Sequence, residues 1–290
     1  SRGSPGTHTP DEFVALDHYL HEMRLYKSAG EVGLMRHAAR ITAAAHTRLM
    51  QTCRPGMHEY ELEAEFTHEC ASRGARFQAY PAIVGGGANA CVLHYVDNRD
   101  ELKDGDLVLV DAGCEFGYYA SDITRTFPVN GRFSPAQRAL YELVLAAQEA
   151  AIAKVKPGNH WNDPHDAAVR VITKGLVDLG LLKGTLARLI KEQAYAKFYM
   201  HRTGHWLGMD VHDVGDYKVD GTWRELEPGM TLTVEPGIYI PAGLRGVPKK
   251  FWNIGIRIED DVLVTKDGHE VITRDAPKAV AEIEALMERR

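Results

Sequence analysis

No stretch of this 290-residue chain is both long and apolar. Residues 107–110 are typical of its hydrophobic runs, far short of the 18 or more residues that a membrane span needs. Positive charge is not in excess: 34 Lys and Arg against 40 Asp and Glu leave a formal charge of −6, which gives nucleic acid no electrostatic footing. Cysteine is scarce. Cys53, Cys70, Cys91 and Cys114 are widely spread, which makes neither a CxxC metal clip nor a dense disulfide framework. That usage points to a reducing, cytoplasmic setting. Intrinsic disorder is excluded by 44% hydrophobic and 26% charged residues. Histidine, by contrast, is plentiful at 14. His18, His21, His37, His46, His58 and His68 fall in helix-like charged stretches and read as solvated, so attention passes to the histidines flanked by glycine and acids.

Residues 1–23 have linker composition and read as a linker or the remnant of a preceding N-terminal domain. Regular structure is expected from about Arg24, with one domain over 24–290. A helix over 28–53 should stop at Arg54-Pro55-Gly56, and a second should span 58–74. Residues 79–127 and 231–273 carry short β-rich runs punctuated by glycine. Ser134, with Pro135 at the first position and Gln137 at the third after the cap, opens a helix reaching about Lys154. Further helices are expected over 161–180 and from Pro277. The order helix, helix, strands thus occurs twice. Residues 102–113 lie over 226–237, which puts Asp111 on Glu235, and residues 54–58 resemble 156–160. Two matches in the same order, one setting a carboxylate on a carboxylate, predict an internally duplicated α+β unit.

Both repeated strands end in a carboxylate, any residue and glycine: Asp111-Ala112-Gly113 and Glu235-Pro236-Gly237. A carboxylate that finishes a buried strand is costly unless it is paired or bound to a cation. A second acid lies downstream of each, Asp122 after the first and Glu259 after the second, where the intervening hairpin is longer. Strand alternation turns Asp122 and Thr124 to one side, and likewise Arg257 and Glu259. Four carboxylates converging on one interior cannot all ionise without positive charge, and two divalent cations supply it. The third piece is the Gly-rich stretch 201–215 with His201, His205 and His212. His201 and His205 are four apart, but Arg202 stands where a zinc helix of the HExxH type has Glu, and Gly204 weakens any helix there. Individual ligands on looped backbone fit better. His94, which precedes the Asp111 strand, is open to either a functional or a structural reading.

Taken together, these residues resemble the catalytic domain of the aminopeptidase P (Xaa-Pro aminopeptidase) family of pita-bread metallopeptidases, over nearly the whole chain. The stretches that carry the resemblance are 111–115, 122–131, 205–208, 210–215 and 255–261. It implies the pita-bread fold, with duplicated helix-helix-strand units around a curved, mostly antiparallel sheet. It also implies five metal ligands. Asp111 would chelate one ion, His205 and Glu235 the other, and Asp122 and Glu259 would bridge them. Two divalent ions are implied, Mn²⁺ first and Zn²⁺ or Co²⁺ as alternatives, since four oxygen donors and one imidazole suit a hard ion. The implied chemistry is amide hydrolysis by a metal-bridging hydroxide, with Glu235 as general base and His212 stabilising the oxyanion. His94, His201 and Tyr80 would line the substrate pocket, and Arg257 would orient the bridging carboxylate. The implied substrate is a peptide with proline second, cleaved before that proline. Members of the family carry an N-terminal domain ahead of this half and form homo-oligomers. Prolidase-type dipeptidase, methionine aminopeptidase and a non-catalytic peptide-binding module of the same fold are the alternatives.

Overall fold

A computed structural model describes residues 13–288; residues 1–12 of the expected linker lie outside the described residues. In chain order the first half contains α1 (Asp17–Leu25), α2 (Ala29–Thr52), α3 (Glu59–Ser72), β1 (Phe77–Gln78), β2 (Ile83–Gly86), β3 (Leu107–Asp111), β4 (Cys114–Phe116), β5 (Tyr119–Ala120) and β6 (Thr124–Pro128). The second half contains α4 (Pro135–Ile152), α5 (Asp163–Asp178), α6 (Leu186–Lys191), β7 (Lys218–Val219), β8 (Thr222–Trp223), β9 (Thr231–Val234), β10 (Gly237–Ile240), β11 (Ile254–Arg257), β12 (Asp260–Thr265), β13 (Gly268–Val271) and α7 (Val280–Glu288).

Local chemistry sets the starts of the two longest helices. The Ser28 and Ser134 hydroxyls accept from the backbone N–H groups of Glu31 and Gln137, whose side chains accept in turn from the cap N–H groups at 2.7 and 2.8 Å. Along α2 the buried residues Met35, Ala38, Thr42, Ala45 and Leu49 recur every three or four positions, so one stripe faces inward. That stripe covers β4 and β5, while α4 lies over β9, β10 and β11. Ala38, Ala45, Leu49, Val108, Val110, Leu140, Val144 and Ile256 belong to one continuous apolar core.

Every strand ladder among the described residues is antiparallel. In the first half β3 lies between β2 and β6, with Asp111 in register with Ile83 on one side and Thr124 on the other. In the second half β12 lies between β9 and β13, and β10 pairs with β11 so that Gly237 faces Arg257. The halves meet where β6 runs beside β11: Glu259 N donates to Thr124 O at 3.1 Å, and the Thr126 hydroxyl donates to Arg257 O at 3.0 Å.

Two expectations need correcting. Regular structure begins at Asp17, not near Arg24, so residues 17–23 are helix and not linker. The segment lacks an apolar stripe because charged partners anchor it: Glu22 accepts from both terminal nitrogens of Arg224, in the other half of the chain. His46 is not solvated but fully buried, with Nε2 3.0 Å from Ala112 O. The other five histidines of that group are partly or fully exposed.

Candidate metal centre

The ends of β3 and β9, the short approach to β6 at Asp122 and the junction of β11 with β12 face one cavity of about 380 Å³. All ten side chains singled out from the sequence line it: Tyr80, His94, Asp111, Asp122, His201, His205, His212, Glu235, Arg257 and Glu259. Pro81, Ile83, Leu93, Val96 and Val211 add an apolar wall.

The loop carrying His205 is laid against β9 by a bridge between Trp206 and Leu232 and by Thr233 N donating to His205 O at 2.9 Å. Gly204 permits this approach, because a Cβ there would stand 2.0 Å from Thr233 O. Neither His201 nor His205 lies in a helix, as the glycine between them requires. Asp122 is held from behind, its N–H donating to Asp261 Oδ2 at 3.0 Å. Below the floor, Arg125 on β6 and Asp260 on β12 form an ion pair at 2.7 Å with neither side chain exposed. Arg125 also donates to Glu259 O at 2.6 Å, and Lys278 and Gln148 both donate to Asp260. This network ties β6, β12 and the approach to α7 together beneath the carboxylates.

Around the cavity the polar contacts are short and specific. Tyr80 donates its hydroxyl to Asp111 Oδ1 at 2.7 Å and to Asp122 Oδ1. Arg257 bonds Asp111 Oδ2 at 2.7 Å, the Tyr239 hydroxyl at 2.9 Å and the Thr124 hydroxyl at 3.2 Å. Thr124 in turn donates to Glu259 Oε2 at 2.6 Å. His205 Nε2 lies 3.4 Å from Asp122 Oδ2 and 3.7 Å from Glu235 Oε1, while its Nδ1 faces Trp206 O at 2.9 Å. With Nδ1 committed to a carbonyl, Nε2 is the atom turned to the carboxylates. Both nitrogens of His201 are engaged inside the protein, Nδ1 at Arg202 O and Nε2 at the Tyr239 hydroxyl, each at 2.8 Å. His201 therefore meets the cavity with its ring, and its nitrogens steady Tyr239 and hence Arg257.

Charge in the cluster is unbalanced. Burial pushes Glu259 well above the carboxylate range, and the neighbouring Asp122, Glu235 and Asp111 push it further. Burial also raises Asp111, against the pull of Arg257, and lifts Glu235 to about 7 although His205 and Arg257 oppose it. Burial works against a charged His205, but Asp122 and Glu235 outweigh it and bring the imidazole up to about 9. Asp122 is lowered: burial raises it, but the bond to His205, the charge of His205, the bond from Tyr80 and the charge of Arg257 together outweigh that. The arrangement calls for positive charge among the carboxylates, and Asp122, His205 and Glu259 offer ligand atoms all within 4.8 Å of one another. The donor set fits divalent cations.

Tyr239, Thr233, Asp261 and the Arg125–Asp260 pair escaped the sequence reading. The only signal at Tyr239 is a hydroxyl in the otherwise apolar strand Gly237–Ile240. Asp260 and Asp261 carried a signal, two acids in a strand expected to be buried, that spacing alone could not separate from Glu259.

Comparison with known proteins bears on the whole chain. The model of metallopeptidase family M24 matches residues 33–266. The Xaa-Pro aminopeptidase of Haemophilus influenzae is 55% identical over 268 residues, 92% of this chain and 62% of that protein. The structure of Pseudomonas aeruginosa aminopeptidase PepP superposes with a TM-score of 0.97 at 62% identity, covering 98% of this chain and 64% of that one. Escherichia coli aminopeptidase P with the inhibitor Pro-Leu gives 0.94 at 51% identity, over 97% and 63% of the two chains. The chain thus spans less than two thirds of the length of these relatives, and its fold is the pita-bread arrangement they share. With the duplicated strands, the acid cluster and this likeness in agreement, the chain belongs to metallopeptidase family M24.

Proposed function

We propose that this chain is the catalytic domain of a dinuclear, metal-dependent Xaa-Pro aminopeptidase, which releases the first residue of peptides that have proline second. The observation that carries the reading is the convergence of Asp111, Asp122, Glu235, Glu259 and His205 on one solvent-reached cavity with an apolar wall. The names of the relatives support the choice of substrate, and the Pro-Leu inhibitor of the Escherichia coli enzyme is in keeping with it.

In this reading Asp111, Asp122, His205, Glu235 and Glu259 would hold the ions, with Asp122 and Glu259 shared between them. Four oxygen donors and one imidazole favour Mn²⁺. Divalent ions held there would supply Lewis-acid chemistry, lowering the pKa of a water and polarising the scissile carbonyl. Glu235 takes the proton of the attacking water and passes it to the departing proline nitrogen. His212, whose ring stands 4.3 Å from that of His205, faces the oxygen on which negative charge develops. His94, Tyr80 and the His201 ring bound the substrate, and Arg257 fixes Asp111 directly and Glu259 through Thr124. The scarce, widely spread cysteines support a reducing compartment such as the cytoplasm. No helix among the described residues is long and apolar enough to cross a membrane.

The test is to strip the protein with chelator, restore Mn²⁺, and follow an Xaa-Pro-Xaa tripeptide beside its Xaa-Ala counterpart. Release of the first residue should require the ion and occur only from the proline peptide. Equal cleavage of both peptides, or turnover that survives the chelator, would overturn the reading.

A further inference from the structure

Between Glu22 and Lys27 the chain is fastened, almost residue by residue, to the segment that follows His205. Glu22 accepts from Arg224, Tyr26 pairs with Glu227, and Lys27 N donates to Gly229 O at 2.9 Å. Two further fasteners converge on a single carboxylate. Asp213 meets Arg24 through Oδ1 and Lys27 Nζ through Oδ2, the latter at 3.5 Å, and the side chains of Lys27 and Asp213 are each only 1% exposed. Arg24 also reaches Asp210 Oδ2 at 2.7 Å. Asp210 and Asp213 enclose Val211 and His212, which both line the cavity. One guanidinium thus grips the loop on either side of His212.

His212 depends on that grip. Among the described residues its side chain makes no hydrogen bond, and its one ring contact is with His205. A side chain without bonds of its own takes its position from its backbone. Here the backbone is set by Asp213, whose N–H donates to Trp206 O at 2.9 Å and whose carboxylate is clasped from the N-terminal side. A buried ion pair is a poor source of net stability, because desolvation offsets attraction, but it fixes geometry well. We propose that Arg24 and Lys27 are positioning residues for His212, acting through Asp213. The proposal rests on the role given to His212 above. It makes the start of the domain, remote in sequence from every residue of the cluster, part of what aims a cavity side chain.

The experiment uses the full chain loaded with Mn²⁺ and the tripeptide assay. Arg24→Ala and Arg24→Lys are measured alone and in the His212→Phe background, and amide hydrogen exchange is followed across residues 206–216. Arg24→Ala should lower kcat on the order of tenfold or more, as small misplacements of working groups do, with the metal content unchanged. Arg24→Lys should recover most of that loss. In the His212→Phe background the loss should vanish, because the two residues act as one unit. Exchange at 208–214 should quicken in Arg24→Ala and in Lys27→Met while β3 and β6 stay protected. Undiminished loss in the His212→Phe background, or unchanged exchange at 208–214, would overturn the proposal. Wild-type turnover in His212→Phe alone would sink the role of His212 instead, and the exchange data would still decide whether the clasp holds the loop.

Discussion

His46 shows how little a single residue type says about its surroundings. Its neighbours in sequence are charged or small, yet it sits on the inward stripe of α2 with Nε2 at Ala112 O and Nδ1 buried without a partner. Burial pushes its pKa down from 6.5 to about 4, and the nearby Arg125 adds to the shift. The unfolded chain therefore takes up a proton at this residue below about pH 6.5, and the folded chain only near 4. The contribution to stability is intact above pH 6.5 and falls away as the pH drops toward 4, by up to about 3 kcal/mol at roughly 1.4 kcal/mol per unit. Urea unfolding in chelator at pH 7.5 and pH 5, for wild type and His46→Gln, isolates the effect from the carboxylates, which titrate in both proteins. The wild type should lose about 2 kcal/mol more than the variant between the two pH values. Parallel losses would show that the imidazole is not held neutral.

At the scale of the element, what was legible in the sequence is what local chemistry decides. Ser28 and Ser134 announce α2 and α4 through their own side chains, and the paired endings Asp111-Ala112-Gly113 and Glu235-Pro236-Gly237 mark where two buried strands stop. The acid cluster followed from the same endings, since each strand delivers a carboxylate to one place. What was illegible depends on partners far along the chain: α1 on Arg224, the floor pair on Arg125 meeting Asp260 across the two halves, Tyr239 on His201 and Arg257. The strand endings also give a prediction. A Cβ on Gly113 would stand 1.7 Å from Ser121 O, the carbonyl just before Asp122. Gly113→Ala must push the backbone at Ser121 aside and widen the gap between Asp111 and Asp122. We expect a loss of about 3 kcal/mol, at the upper end for overpacking, with bound metal falling below two ions per chain. Urea midpoints and metal analysis on the purified variant measure both, and a wild-type stoichiometry would refute this link between strand packing and site.

For the whole molecule the acid cluster is a liability that only a ligand relieves. Without cations, Glu259 either keeps its charge against Asp122, Glu235 and Asp111 or takes a proton against the pH, and both cost folding free energy. The surrounding scaffold, through the Arg125–Asp260 pair and the joined strands β6 and β11, keeps the acids together. Glu259→Gln removes the charge and retains an oxygen for the bond from Thr124. In chelator the variant should therefore unfold at a higher temperature than wild type, by on the order of 1 kcal/mol, the gain usual when functional strain is relieved. Saturating Mn²⁺ should reverse the order. Wild type gains by mass action, about 2.7 kcal/mol when free ion is a hundredfold above its dissociation constant, and on the proposed ligand assignment the variant gains much less. Thermal unfolding of both proteins with chelator and with Mn²⁺ gives the four values needed. A variant less stable than wild type under both conditions would mean that Glu259 serves the fold rather than the ions, and that the cluster is not strained in the way its burial and crowding require.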